Sequence, residues 1–168
     1  MSGVPRRIRD VVVGTLSHVG GARRRMANAA VEVNVNYTGS PIVVGDRPRH
    51  AKVAAGEHLP HVANAAMQRQ LAAVFGAHNL GHIVVTVASD NVLPAAGGNS
   101  EAQVLVSRDD TPVAGYDAVI ADPDGVLLDC LGLKNGGRLI VRPDGYVGAI
   151  STLDDTNAIA DYFARIAS

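Results

Sequence analysis

Two histidine pairs, His58-x-x-His61 and His78-x-x-x-His82, have spacings that can bring two imidazoles to one side of a metal ion. Their context argues otherwise: Pro60 interrupts the first pair, Gly81 breaks the second, and neither contains the glutamate of an HExxH helix. Solvated loop histidines are the expected reading, and no metal ligand is assigned. Cys130, the single cysteine, excludes an internal disulfide, a Cys-x-x-Cys redox pair and a cysteine-rich zinc site. It sits between Leu128 and Leu131 on a short apolar helix, a setting for a buried core thiol with a raised pKa. The acidic pairs Asp109-Asp110, Asp122 with Asp124, and Asp154-Asp155 fall at turns or helix starts, where carboxylates serve local structure. Gly97-Gly98-Asn99-Ser100 lacks the lysine and the hydroxyl partner of a phosphate loop.

Arg142 is the charge of most interest. It precedes a tight turn at the end of an apolar strand, where it can pair with Asp144 or reach across an interface. The run Arg23-Arg24-Arg25 reads as a solvated helix face, because a net charge of -1 leaves no broad basic surface for nucleic acid. With 47% hydrophobic and 18% charged residues the chain is of globular composition. No apolar run is long enough for a membrane helix. A soluble protein of a reducing cytoplasm is expected.

Positioning these groups requires regular elements, and hydrophobic spacing locates them. Ile8, Val11, Val12, Leu16 and Val19 recur at helical steps after Pro5, and a second short helix carries the arginine run. Val31, Val33, Val35 and Tyr37 then alternate as a strand. Six glycines and prolines between Thr38 and Pro60 admit neither a helix nor a central strand, so this stretch is an ordered connector or a linker. Met67, Leu71, Val74 and Phe75 define a helix face, and His82 to Ala88 is a β-branched strand. Ser100 to Val106 suits helix or strand, Tyr116 to Ala121 is a strand, and Gly125 to Leu133 makes a short helix ending near Gly132. Leu139 to Val141 and Tyr146 to Ile150 form a hairpin through Pro143-Asp144-Gly145. A terminal helix follows, with Ser151 or Thr152 as its cap and Ile159, Tyr162, Phe163 and Ile166 as its buried stripe.

Strand, helix, strand, helix, hairpin, helix is the order of an α/β thioredoxin-like domain, a mixed sheet flanked by helices and here preceded by an N-terminal helical and strand segment. Redox versions of that fold carry Cys-x-x-Cys after the first central strand. Ser89-Asp90-Asn91-Val92-Leu93-Pro94 occupies that place, so thiol–disulfide exchange of that type is excluded.

The stretch Gly137-Arg138-Leu139-Ile140-Val141-Arg142-Pro143-Asp144-Gly145-Tyr146-Val147 and the helix after it resemble the C-terminal domain of FAD-dependent aromatic hydroxylases, the flavin monooxygenases of phenols and polyketides. Tyr37-Thr38-Gly39-Ser40-Pro41 and Ala55-Gly56-Glu57-His58-Leu59-Pro60 look like the connectors leading into that domain. The opening helices look like the end of the family's catalytic portion. One departure is visible: family members often carry a bulky aromatic and a basic residue after the Tyr-Val pair, where this chain has Gly148, Ala149 and Ile150. The 168 residues contain no GxGxxG dinucleotide fingerprint.

The resemblance implies three parts: 1–37, matching the end of the catalytic portion; 38–60, the connector; and 61–168, the thioredoxin-like domain. It further implies a non-catalytic accessory domain, serving packing or dimerisation, that looks like the tail of a monooxygenase without its flavin domain. FAD and NAD(P)H belong to the full-length enzyme and no cofactor to this chain. The partner is a flavin and substrate domain or a second copy, making a homo-oligomer, with no nucleic acid and no membrane. Arg142, Asp144, Gly145 and Tyr146, together with Ile8, Val12 and Leu16, are the motif and interface candidates, and no catalytic residue is assigned. A stand-alone small-molecule binding protein of the same fold is the alternative.

Overall fold

The computed structural model describes residues 36–37, 39–45, 47–78, 81–89, 93–96, 101–155 and 157–168, all within one compact unit, Asn36–Ser168. The expected helices and strand before residue 36, with Ile8, Val12, Leu16 and the arginine run, lie outside the described residues, as does Gly97-Gly98-Asn99-Ser100.

Among the described residues eight elements follow in the order α1 (Ala65–Ala77), β1 (Ile83–Val87), β2 (Ala102–Ser107), β3 (Ala118–Ala121), α2 (Val126–Leu131), β4 (Gly137–Val141), β5 (Val147–Ser151) and α3 (Asn157–Ile166). The strands form one sheet ordered β3-β2-β1-β4-β5. β1, β2 and β3 run parallel, while β4 is antiparallel to both β1 and β5. This is the mixed, helix-flanked α/β sheet of a thioredoxin-like domain. The segment Ser100 to Val106, open between helix and strand, is β2. Its core Gln103-Val104-Leu105-Val106 is wholly buried between β1 and β3, and the central position favours β-branched residues packed on both faces.

Strand alternation divides the interior into two layers. Ile83, Val85, Val87, Val104, Val106 and Leu139 meet Met67 and Leu71 of α1 and Leu127 and Leu131 of α2 on one face. Val84, Ile140 and Ala149 meet Ile159 and Tyr162 of α3 on the other. The stretch after Tyr37 has no regular element but is packed: Ala51, Val53 and Ala55 lie in the first layer and Val44 in the second. It also seals the β5 edge. Val44 N–H donates to Gly148 O at 3.2 Å, Gly56 N–H to Val147 O at 2.7 Å and Val147 N–H to Glu57 O at 2.9 Å. Those bonds satisfy strand groups that would otherwise stand open.

Register shifts between Ile140 and Val141, since Ile140 pairs with Ala149 but Val141 pairs with Val147. Gly148 is therefore an extra, bulged residue. The bulge lets Val147 face the first layer and Ala149 the second although they are two residues apart, which simple alternation forbids.

Two expectations for the last helix are corrected. Its cap is Asp155, whose Oδ1 accepts from Asn157 N–H at 3.0 Å and Ala158 N–H at 3.3 Å. Ser151 is the last residue of β5 and its Oγ donates to Asp155 O at 3.3 Å, so it comes too early to cap. Ile166 is 41% exposed, and the buried face of α3 is Ala158, Ile159 and Tyr162.

Candidate functional site

The hairpin motif lies where β4 turns into β5, beside the N-terminal ends of the parallel strands. Arg142 N–H donates to Tyr146 O at 2.8 Å, and Gly145 N–H donates to Arg142 O at 2.9 Å, closing the turn. Gly145 has φ of 82°, a region costly for a residue with a Cβ. A Cβ there would also lie 2.9 Å from His58 Nε2. Asp144 binds twice: Oδ1 accepts from Tyr146 N–H at 3.2 Å and Oδ2 from Arg142 Nη2 at 2.6 Å. Of the two readings open for Arg142, the pairing with Asp144 is the one observed.

Around this turn three rings gather. Tyr37 and Tyr146 meet edge to face with centroids 5.0 Å apart, and His58 meets Tyr146 likewise at 5.2 Å. The Arg142 guanidinium carbon stands 5.4 Å from the Tyr37 ring centroid, a cation–π contact on the order of 0.5–1 kcal/mol. His58 Nδ1 donates to Leu59 O at 2.9 Å, while Leu59 N–H donates to Gly145 O at 2.9 Å. Residues 37 and 55–59 are thereby tied to the hairpin tip, and the three motifs that carry the family resemblance become one contact cluster.

A second cluster adjoins it. His82 precedes β1, and its Nε2 lies 3.0 Å from the Tyr162 hydroxyl of α3. Phe163 packs edge to face on both rings, at 5.8 Å from His82 and 5.4 Å from Tyr162. Burial pushes the His82 pKa below its ordinary value; Glu101 and Asp144 oppose that shift and Arg142 adds to it. Burial pushes the Tyr162 phenol up, with Arg142 opposing. The contact ties the residue before β1 to α3. Spacing of histidines paired His82 with His78 and missed this partner, which is 80 positions away in sequence.

The other end of the sheet carries a cleft of about 370 Å³ at the C-terminal ends of β1 and β2, bordered by Ser89, Leu93, Ser107, Arg108, Asp122 and Leu128. In doubly wound sheets such a position is where ligands bind. Its polar groups serve the protein itself. Asp122 is 2% exposed and accepts from the amides of Val126, Leu127 and Leu128 at 2.7, 2.9 and 3.0 Å, holding the start of α2 where an anion would otherwise sit. Ser107 Oγ donates to Asp109 O at 2.6 Å, and Asp109 Oδ1 accepts from Thr111 N–H at 2.9 Å.

Other candidates resolve as structure. Cys130 is half-buried rather than a full core residue, because the face of α2 that enters the core is Leu127 and Leu131; burial pushes its thiol up, with Lys52 opposing. Asp129 pairs with Lys134 at 2.9 Å on the surface. Among the described residues no three His, Cys, Asp or Glu are grouped to hold a metal ion, and no helix is long and apolar enough to cross a membrane.

A family profile described as phenol hydroxylase, C-terminal dimerisation domain, matches residues 118–168. That range runs from the first residue of β3 through α2, the β4–β5 hairpin and α3, and so contains Arg142, Asp144, Gly145 and Tyr146. The match falls on the same segment whose hairpin motif resembles the C-terminal domain of aromatic hydroxylases. No curated protein matches the chain. The amides at the start of α2, which top the parallel strands, are taken by Asp122, and no glycine-rich phosphate cradle follows β1 in the sequence.

Proposed function

We propose that this chain is a non-catalytic C-terminal accessory domain of an FAD-dependent aromatic-compound monooxygenase, acting by packing against the flavin and substrate portion or against a second copy. The observation that carries the reading is the dimerisation-domain match over residues 118–168. The geometry supports it in kind. Arg142 and Asp144 neutralise each other, His82 is spent on Tyr162, and Asp122 on α2, so the charged groups build the domain rather than present a reaction centre. FAD and NAD(P)H then act in the catalytic portion of such an enzyme, which works in the cytoplasm. Residues 1–37 are the proposed junction with that portion, 38–60 the connector and 61–168 the thioredoxin-like domain. The interface candidates are Ile8, Val12 and Leu16 with the hairpin residues Arg142, Asp144, Gly145 and Tyr146.

Sedimentation equilibrium of the full chain tests the proposal. A dimer or larger species is expected, and removal of residues 1–37 should shift it toward monomer. A monomer at high micromolar concentration overturns the self-association. Titration with FAD and with phenols, followed by flavin fluorescence and thermal shift, addresses the enzyme question separately. A colourless protein unmoved by either ligand is expected; stoichiometric yellow flavin would overturn the accessory role, and a shift with phenols would favour a binding protein using the cleft beside Ser89 and Leu93.

A further inference from the structure

One register row on the α3 side of the sheet is polar where its neighbours are apolar. Thr86 of β1 pairs with Arg138 of β4, and Arg138 pairs with Ser151 of β5, so the three side chains stand on one face in adjacent strands. The next row on the same face is Val84, Ile140 and Ala149, the apolar layer that receives α3. Thr86 is fully buried at 0% exposure and Ser151 is 2% exposed.

The hydrogen bonds of this row are incomplete. Arg138 Nη1 donates to Leu153 O at 3.4 Å and Nη2 to Ala95 O at 3.2 Å, so its guanidinium joins β4 to two separate loops. Among the described residues its Nε, buried, has no acceptor, and Thr86 Oγ1, also buried, has no partner. A buried hydroxyl or N–H without a partner costs about 1–3 kcal/mol. Two such groups at directly opposed positions, one a donor and the other both donor and acceptor, match the coordination of a water molecule, and internal waters are found where buried polar groups lack protein partners.

We infer that this row binds an internal water, which accepts from Arg138 Nε–H and exchanges a hydrogen bond with Thr86 Oγ1. Ser151 Oγ, which donates to Asp155 O at 3.3 Å, keeps lone pairs free to receive a proton from the same water. The ligand would fasten β1 to β4 and steady the guanidinium that holds the loops at Ala95 and Leu153. The site stands apart from the hairpin cluster and does not depend on the proposed accessory role.

Thr86→Val tests it by sign. Valine keeps the shape of threonine and removes only the hydroxyl. With a bound water the variant strands that water and Arg138 Nε, and the folding equilibrium constant of the full chain should fall about threefold to tenfold. Without one, the change deletes an unsatisfied polar atom, and stability should hold or rise, which overturns the inference. Magnetic relaxation dispersion provides the independent readout: one long-lived internal water fewer in Thr86→Val than in wild type is expected, and an equal count overturns the site. A bromide soak of crystals distinguishes the ligand, since an anomalous peak between Thr86 and Arg138 would overturn water in favour of a halide.

Discussion

Placing a methyl group at Gly148 should be among the most disruptive small changes in the domain. A Cβ there would lie 2.5 Å from Cε2, 2.6 Å from Cζ and 2.8 Å from the hydroxyl of Tyr162. Relaxed contacts between carbon atoms fall near 3.5–4.0 Å, so ring and strand must part by roughly 1 Å. Neither can do so freely. Tyr162 is 1% exposed and wedged among Val84, Ile140 and Ile159, and Gly148 O is held by Val44 N–H at 3.2 Å on the strand edge. Overpacking of a filled core costs about 1–3 kcal/mol. Displacing the ring also stretches the 3.0 Å contact with His82, worth about 0.5–1.5 kcal/mol. Against this, alanine has the better strand propensity by about 0.5–1 kcal/mol. Gly148→Ala should therefore lose about 1–3 kcal/mol in urea denaturation. In a Tyr162→Leu background the same change should cost far less, because the clashing ring is gone, and the double-mutant cycle should show that coupling. Equal costs in both backgrounds would refute the contact.

Asp122→Ala should destabilise the domain by about 2–3 kcal/mol, since three amide donors at the start of α2 lose a charged acceptor that is itself buried; a midpoint in urea within error of wild type would refute the capping role. The lowered pKa of His82 means that the unfolded chain binds this proton more readily than the folded one. Its stabilising contribution is complete above the unfolded value near 6.5 and is lost progressively as pH falls from there toward the folded pKa. Wild type should therefore lose more stability between pH 7.5 and 5.5 than His82→Gln, and equal losses in thermal melts would refute the assignment.

The bulge at Gly148 leaves its side-chain position empty because the Tyr162 ring fills that space. Bulky side chains at that bulge and a tyrosine at 162 compete for one volume; this chain gives the volume to Tyr162. The empty side-chain position on the strand and the large ring on the helix belong together.

Local chemistry is what the sequence by itself determined. A β-branched run located β1, an apolar run located β3, Asp144-Gly145 located the hairpin, the apolar steps from Met67 located α1, and the hairpin motif pointed to the family whose profile covers 118–168. These signals depend on near neighbours, which sequence displays directly. Tertiary structure alone decided what depends on distant partners. Burial on both faces made a strand of β2; backbone bonds from 44–57 to β5 made an edge seal of a glycine- and proline-rich stretch. The skip at Gly148 reversed the alternation of β5. Register set Thr86 beside Arg138, and α3 brought Tyr162 to His82. Such pairings are set by strand order and helix docking, over separations for which a linear spacing rule has no term.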